Sequence, residues 1–280
     1  MKTISAVKQD MEFNRSLSSL VEVLKNIAVS QYRTWEQKIK LNTEFLLNVE
    51  DFFGFLDLEG TEHPFLAPTS DNQLVLAVTS DSGLLGGLNM QVINDCLLML
   101  QTKKGKLIVI GEKGKQYIQD LGIGFFFFKG IQEELIYEQS LQMRDYLLKS
   151  FLEEGIGYLR IVYPHPVSFT VQKIESKEIL PFRVVSKKKI TSSEIIFEST
   201  SYRVVEYLVY LWLAQKLYEI FSLSKLAEYA ARFVHLEEST QKLKELDLKL
   251  RLQYFRLRHE LIDRNMRELF SARLLYTGKL

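Results

Sequence analysis

The stretch Leu236–Leu257, LEESTQKLKELDLKLRLQYFRL, repeats one residue type at a fixed interval. A leucine returns at every seventh position, at Leu236, Leu243, Leu250 and Leu257. This spacing is typical of a helix that packs along a second helix in a coiled coil. The sequence from Tyr202 to about Leu275 contains no glycine and no proline. We therefore expect one helix of about 70 residues, longer than ~100 Å, that ends at Gly278.

The N-terminal region shows the same spacing, with no glycine or proline from Ile4 to about Phe53. The apolar residues of its heptad seam are Ile4, Val7, Met11, Val21, Ala28, Tyr32, Trp35, Ile39, Leu46, Val49 and Phe53. A second apolar stripe covers another face of the first half and consists of Phe13, Leu17, Leu20, Leu24 and Ile27. Two apolar faces predict two kinds of neighbour for this helix, which would be ~75 Å long.

Two long helices with heptad seams at opposite ends of one chain are expected to pair as an antiparallel coiled coil. The middle of the chain would then be an insertion at one end of the paired helices. This organisation divides the chain into an N-terminal helix (1–57), an inserted domain (58–199) and a C-terminal helix (200–280). The spacing alone also allows a second arrangement, in which the two helices are separate coiled-coil arms of a dimer.

The middle of the chain alternates between strand-like and helix-like segments. Strands are predicted at Gln73–Thr79, Lys106–Ile110, Ile123–Phe128 and Tyr158–Tyr163, and an extended segment at Val167–Val185. Helices are predicted up to about Gln101, after Gly111 and over Ile131–Glu154. This alternation indicates a parallel sheet with helices packed on it. The predicted fold class is therefore α/β with long terminal helices.

The composition excludes several classes of protein. The 280 residues include 36 lysines and arginines against 35 aspartates and glutamates, and a net charge of +1 provides no large field for steering nucleic acid or an acidic membrane. The single cysteine, Cys96, supports neither a disulfide framework nor a zinc cluster, and it fits a reducing, cytoplasmic compartment. The most apolar stretch, Val204–Leu217, carries Glu206 and Lys216, so no direct insertion into a membrane is expected.

A glycine-rich turn follows the first predicted strand, with Gly83, Gly86 and Gly87. A dinucleotide-binding loop has a different glycine spacing, and a phosphate-binding loop ends in Gly-Lys-Ser/Thr, whereas Leu88 and Asn89 follow here. We therefore interpret the glycines as structural residues of a tight strand-to-helix connection. The four histidines show no metal-ligand spacing, and no nucleophile–base set is present. We expect no catalytic residue, no cofactor and no bound metal.

Several segments resemble the gamma subunit of F-type ATP synthases, and they occur in the family's order along the whole chain. The segment Ser80–Asn89, SDSGLLGGLN, resembles the family's T-D-R-G-L-C-G-G-L-N. Glu228–Val234, EYAARFV, is similar to its E-H-A-A-R-M stretch, and Tyr254–Ile262, YFRLRHELI, resembles its Y-N-x-A-R-Q-x-x-I. Leu180-Pro181 and Phe197-Glu198 fit two shorter family segments.

The resemblance implies a rotor shaft rather than an enzyme. In the family, the coiled coil of the terminal helices enters a hexamer of alternating alpha and beta subunits, and catalysis takes place in the beta subunits. The α/β domain forms the foot, near the epsilon subunit and the membrane ring. One copy per complex is implied, located in the cytoplasm at the inner face of the cell membrane.

The resemblance also implies contact residues. Arg258 matches the arginine of the region where the shaft meets a beta-subunit loop, and His259 and Asp263 replace the family's glutamine and threonine in that region. The last turns of the helix would run in an apolar sleeve of the hexamer through Ile262, Met266, Leu269, Phe270, Leu274 and Leu275. At the foot, Phe197 and Glu198 match the segment placed near the ring.

Two other functions fit the sequence. The departures from the family pattern affect contact residues and preserve the packing pattern, which allows a shaft of an F-like ATPase paralogue that serves a machine other than a proton channel, such as surface motility. A third hypothesis disregards the resemblance and reads the chain as a coiled-coil scaffold with an α/β binding domain.

Overall fold

The structure is a computed structural model that describes residues 3–40, 63–183 and 198–277. Its helices are α1 (Ile4–Lys40), α2 (Leu88–Thr102), α3 (Glu112–Gln119), α4 (Ile136–Glu153) and α5 (Ser201–Thr277). Its strands are β1 (Gln73–Val78), β2 (Gly105–Ile110), β3 (Phe126–Phe128), β4 (Tyr158–Pro166) and β5 (Gln172–Leu180). Within these ranges no helix combines the length and the apolar character needed to span a bilayer. The predicted end of the N-terminal helix near Phe53 lies outside the described residues.

The chain divides into two compact units, residues 28–234 and the pair of segments 1–27 and 235–280. We call the first the body and the second the helix-pair unit. Helices α1 and α5 each contribute residues to both units. The predicted boundaries at 57/58 and 199/200 stay a prediction.

The body is built on a five-stranded sheet in the order β3-β2-β1-β4-β5. Strand β1 is buried along its whole length, which explains its continuous apolar sequence. Strands β1 to β4 pair in parallel, as predicted, and β5 runs antiparallel to β4. The antiparallel pairing follows from the short connection between β4 and β5, since parallel neighbours need a crossover of a dozen or more residues. The extended segment predicted at Val167–Val185 is thus the second half of a hairpin.

Helices cover both faces of the sheet. One face packs against α4, the first part of α5 and Trp35 of α1, and the other face packs against α2 and α3. Two predicted elements are shorter than expected. Strand β3 spans only Phe126–Phe128, and α4 begins at Ile136 rather than at Ile131, because residues 133–135 form a turn before the helix.

In the helix-pair unit, α1 and α5 run antiparallel. The Asn14 side-chain amide donates to the Leu243 carbonyl at 3.1 Å, and Lys25 pairs with Glu237 at 2.9 Å. The residue number of the partner on α5 therefore decreases as the residue number on α1 increases, which is the mark of an antiparallel pair. These contacts confirm the intramolecular coiled coil and exclude separate arms. The seam is buried at one residue per heptad, at Val7, Asn14 and Val21 in this unit and at Ala28 and Trp35 where α1 belongs to the body.

Candidate functional site

The C-terminal part of α5 is a single exposed helix within the helix-pair unit. All residues from 258 to 273 are exposed, and we call this stretch the C-terminal segment. Helix α1 begins at Ile4, and the burial of Val7 and Leu250 marks where its first turns lie along α5. The C-terminal segment continues beyond that point, and no other described helix of this unit lies beside it.

The C-terminal segment is apolar on part of its surface. Its large exposed side chains, with the exposed fraction of each, are Leu261 (45%), Ile262 (49%), Met266 (49%), Leu269 (66%) and Phe270 (60%). The side chains of Leu274 and Leu275 lie outside the described residues, although both belong to α5. An exposed apolar stripe of this kind is typical of a surface that is covered in an assembly.

The polar residues predicted to act here are on the same segment. Arg258 and Asp263 are exposed, and Nδ1 of His259 lies 2.8 Å from the Phe255 carbonyl oxygen of the preceding turn. The backbone carbonyl of Asp263 accepts a hydrogen bond from Nε of Arg267 at 3.2 Å. Four arginines and three carboxylates are interspersed along residues 258–273, so the apolar stripe is accompanied by charges of both signs.

The glycine-rich turn lies in the body, between β1 and α2. Gly86 has φ +60°, a conformation that favours glycine, and Leu84 adopts φ +65° without that advantage. Gly83 and Gly87 do not have positive φ, and a Cβ at either would make only ordinary contacts at 3.8 Å. Asn89 closes the turn, because its side chain accepts from the Ser80 amide at 3.1 Å and donates to the Ser80 hydroxyl at 2.9 Å.

A buried ionic cluster joins this turn to α5. The Glu228 carboxylate, 5% exposed, pairs with Lys225 at 2.9 Å and with Arg232 at 2.6 Å. The Ser82 hydroxyl donates to Glu228 at 3.0 Å and accepts from Arg232. Burial acts to raise the pKa of Glu228, but Lys225 and Arg232 outweigh burial and hold the pKa below its usual value. Ser82 stands where the resembled family has an arginine.

The crevice at the carboxyl ends of β1 and β4 is where open α/β sheets bind ligands, because the order of strands reverses there. In this protein the crevice is filled by Leu85, Leu88, Lys225 and Glu228, among others. The remaining cavity is about 10 Å³, at the lower limit for a single water molecule. The crevice therefore has no room for the phosphates of a nucleotide.

The remaining candidates are dispersed. Glu198 is exposed at the start of its described stretch, and Phe197 lies outside the described residues. No group of three His, Cys, Asp or Glu side chains in the described ranges could hold a metal ion. Cys96 is buried, and burial raises the pKa of its thiol.

Sequence reasoning missed one network. The Glu133 carboxylate, in the connection between β3 and α4, accepts hydrogen bonds from both Trp35 and Tyr229. No spacing or motif relates these three residues, since they come from distant parts of the chain. Only the folded arrangement brings them together.

Comparison with protein-family models matches residues 3–273 to the family described as ATP synthase. Among curated proteins, the chain is 27% identical over 273 residues to the ATP synthase gamma chain of Clostridium novyi (strain NT), covering 95% of this chain and 96% of that one. It is 23% identical over 286 residues to the ATP synthase gamma chain of Chlorobaculum tepidum, covering 97% and 98% of the two chains.

Among solved structures, the fold is similar to a chain of the Euglena gracilis mitochondrial ATP synthase, in the OSCP/F1/c-ring assembly in rotational state 3. The TM-score is 0.72 at 18% identity, covering 99% of this chain and 95% of that one. A chain from the central stalk and c-ring of the Tetrahymena thermophila mitochondrial ATP synthase gives a TM-score of 0.60 at 17% identity, covering 79% and 99%. At these identities the solved structures support the fold alone.

Proposed function

The chain belongs to the ATP synthase gamma-chain family, and from this membership we propose that it is the central rotor shaft of a rotary F-type ATPase. In this role it transmits torque between a catalytic hexamer of alpha- and beta-type subunits and a partner on the membrane side. It is a non-catalytic subunit, and ATP is made or hydrolysed in the beta-type subunits. The predicted resemblance is confirmed by the family match over residues 3–273.

The observation that carries the proposal is the C-terminal segment. A shaft that turns inside a hexamer needs a surface that slides past its surroundings while making different contacts with each partner subunit. The segment presents Leu269 at 66% and Phe270 at 60% exposure, with both signs of charge beside them. Weak apolar contact on several sides suits rotation better than a few strong, directional bonds. Arg258, His259 and Asp263 would supply the polar contacts with the hexamer.

We assign the partners at the foot from the same membership. Glu198 and Phe197 would face a membrane ring, and an epsilon-type subunit would bind the body. The complex would hold one copy of the chain and would sit at the inner face of the cell membrane. Similar chains come from structures that contain F1 and the c-ring, or the central stalk and the c-ring, which supports a ring partner for this chain.

Co-purification from the native cell tests the proposal. The tagged full-length chain is expected to bring down alpha- and beta-type ATPase subunits at one copy per hexamer, with ATP hydrolysis that drives rotation of a particle attached to the body. Replacing Leu269 and Phe270 together by aspartate is expected to lower the torque of the complex. The matched control is Leu98→Asp, because Leu98 is 59% exposed on α2 in the body. Absence of ATPase subunits from the purified material would contradict the proposal.

The two alternative functions have less support. A scaffold unrelated to ATPases does not account for a family match that spans nearly the whole chain. The comparisons give no specific support to a role in motility.

A further inference from the structure

We propose that Glu133 and Phe169 are positioning residues that fasten α1 and α5 together to the sheet of the body, so that the two helices turn with the body as one piece. The inference rests on the proposed shaft function and names two side chains that add to the apolar packing of the helices on the sheet. Each of the two residues lies in a loop of the body and contacts one residue of α1 and one residue of α5.

Glu133 provides a polar attachment. Its Oε2 accepts a hydrogen bond from the indole Nε1 of Trp35 on α1 at 3.0 Å, and its Oε1 accepts one from the hydroxyl of Tyr229 on α5. Trp35 and Tyr229 are each 2% exposed, so both donors are fixed by the packing around them. One carboxylate with two oxygens thus holds two helices, and hydrogen bonds to a charged acceptor are the stronger kind.

Phe169 provides an aromatic attachment. It lies in the loop between β4 and β5, with its ring centroid 4.7 Å from the ring of Tyr32 on α1 and 4.6 Å from the ring of Phe233 on α5. Both distances are in the range where aromatic pairs attract each other beyond the effect of burial. The ring therefore sits in contact with both helices at once.

The two attachments are neighbours on the same helix faces. Tyr32 and Trp35 are three residues apart on α1, and Tyr229 and Phe233 are four residues apart on α5, so each pair shares one face of its helix. Glu133 connects Trp35 with Tyr229, and Phe169 connects Tyr32 with Phe233, so α1 and α5 are antiparallel here. They have the same relative direction at the Asn14–Leu243 contact. The attachments occur in the last turns of the body before the chain passes into the helix-pair unit at residues 27/28 and 234/235.

The loop that carries Glu133 is braced. The Gly130 amide donates to Asp81 at 3.1 Å, and a Cβ at Gly130 would lie 2.3 Å from that carboxyl group, so a larger residue would displace the Asp81 side chain. The Gln139 side chain accepts from the Gln132 amide at 2.8 Å and donates to the Gly130 carbonyl at 3.1 Å. The loop is therefore held just before Glu133, and a hydrogen bond from the Leu135 amide to the Gln132 carbonyl at 3.2 Å spans Glu133 itself.

The loop that carries Phe169 is braced as well. The amides of Val167 and Ser168 both donate to the Val171 carbonyl at 3.0 Å, and the Val171 amide donates back to Ser168. A tight turn of this kind cannot shift without breaking several hydrogen bonds. Because both loops are stiff, a twist of the helices relative to the sheet must stretch the contacts of Glu133 and Phe169 themselves.

The mechanical test uses the full-length chain assembled with its alpha- and beta-type partners, with the hexamer fixed to a surface. A gold rod is attached to the body through the variant Glu153→Cys, since the native Cys96 is buried and does not compete. The angular variance of the rod is recorded without ATP in the wild type and in Glu133→Ala, Phe169→Ala and the double variant. The apolar core that α5 and Trp35 share with the sheet carries part of the load, so we expect each single variant to raise the variance measurably and the double variant to raise it further.

Matched controls lie one or two residues away. Glu134→Ala removes an exposed carboxylate from the same loop, and Val171→Ala shortens an exposed side chain of the same hairpin; both are expected to keep the wild-type variance. Glu133→Gln retains one carbonyl acceptor and is expected to fall between wild type and alanine. Wild-type variance in Glu133→Ala and Phe169→Ala, in complexes that still rotate, would overturn the inference and leave the shaft function standing. A wild-type complex without ATP-driven rotation would overturn the shaft function instead.

A second measurement covers variants that fail to assemble. The chain has two tryptophans, so the indole N–H of Trp35 can be followed by NMR in the isolated chain with Trp212 as internal reference. Glu133→Ala is expected to speed hydrogen exchange at Trp35 relative to Trp212, and Glu134→Ala is not. Unchanged exchange at Trp35 would overturn the role of Glu133.

Discussion

At the scale of single residues, Glu228 shows how a buried charge is accommodated. Its carboxylate lies between Lys225 and Arg232, and the Ser82 hydroxyl completes the shell. Removing one partner of such a cluster leaves the others buried without compensation, which costs far more than the cluster contributes as a whole. The cluster therefore makes the connection between the turn and α5 sensitive to any change at its centre.

Glu228→Ala is expected to lower the free energy of unfolding by about 3–5 kcal/mol, because two cations would lose their shared anion. Urea unfolding followed by circular dichroism measures the change. Glu238→Ala serves as the control, since Glu238 is an exposed glutamate on the same helix and is expected to have little effect. Equal stabilities of the two variants would show that the cluster contributes nothing.

The same residue predicts a pH dependence. The pKa of Glu228 is lower in the folded protein than in the unfolded chain, where a glutamate titrates at about 4.3. The folded state therefore binds fewer protons, so the stabilisation is complete above that pH and is lost as the pH falls through the folded pKa. We expect the stability gap between wild type and Glu228→Gln to narrow below about pH 4.3 in urea titrations. A gap that stays constant down to pH 3 would contradict the assignment.

Arg258→Ala tests a contact with a partner rather than an internal one. Arg258 is exposed, and an exposed charge contributes little to stability. We expect an unchanged urea midpoint for the isolated chain and weaker coupling of ATP hydrolysis to torque in the assembled complex. Arg264→Ala, an exposed arginine of the same segment, separates loss of this contact from loss of charge in general.

At the scale of elements, the seam of α1 was largely predictable from its spacing. The heptad residues Val7, Val21, Ala28 and Trp35 are buried as expected. Asn14 is an exception to the apolar pattern, yet it is buried too, with its amide bonded to the Leu243 carbonyl and its Oδ1 without a hydrogen-bond partner among the described residues. A polar residue at one seam position costs stability and fixes the register of the two helices.

A proline at Val21 tests the seam. It removes a backbone donor from the interior of α1 and clashes with the preceding turn, at a cost of about 3 kcal/mol or more. We expect a lower urea midpoint and a complex whose ATP hydrolysis falls or uncouples from rotation. Val21→Ile keeps the helix and serves as the control. Full assembly and activity of the proline variant would count against the paired-helix arrangement.

Other features of the elements could not be predicted from spacing. The hairpin of β4 and β5 looked like one extended segment, because apolar alternation does not show the direction in which a strand pairs. The shared contacts of Glu133 and Phe169 depend on side chains that are distant in sequence and have no motif. The exposure of Leu269 and Phe270 was expected from the family resemblance, and periodicity alone would have assigned them to a core.

At the scale of the whole molecule, the C-terminal segment contributes little to the stability of the chain on its own, since its residues are exposed throughout. Removing residues 258–280 is expected to change the free energy of unfolding by less than about 1 kcal/mol, because residues 258–273 are exposed and a segment with few buried contacts adds little to global stability. The truncated chain in the complex is expected to produce lower torque. A large loss of stability on truncation would show that the segment folds back on the rest of the chain.

The exposure of the C-terminal segment of α5 affects the subunit before it enters a complex. An isolated helix is only marginally stable in water, and the apolar stripe on this segment attracts other apolar surfaces. We expect the newly made subunit to self-associate in a concentration-dependent manner in sedimentation, unlike the version that lacks residues 258–280. A cell that makes this protein must therefore match its synthesis to that of the subunits that enclose the apolar stripe, because any surplus of the chain would be prone to aggregate.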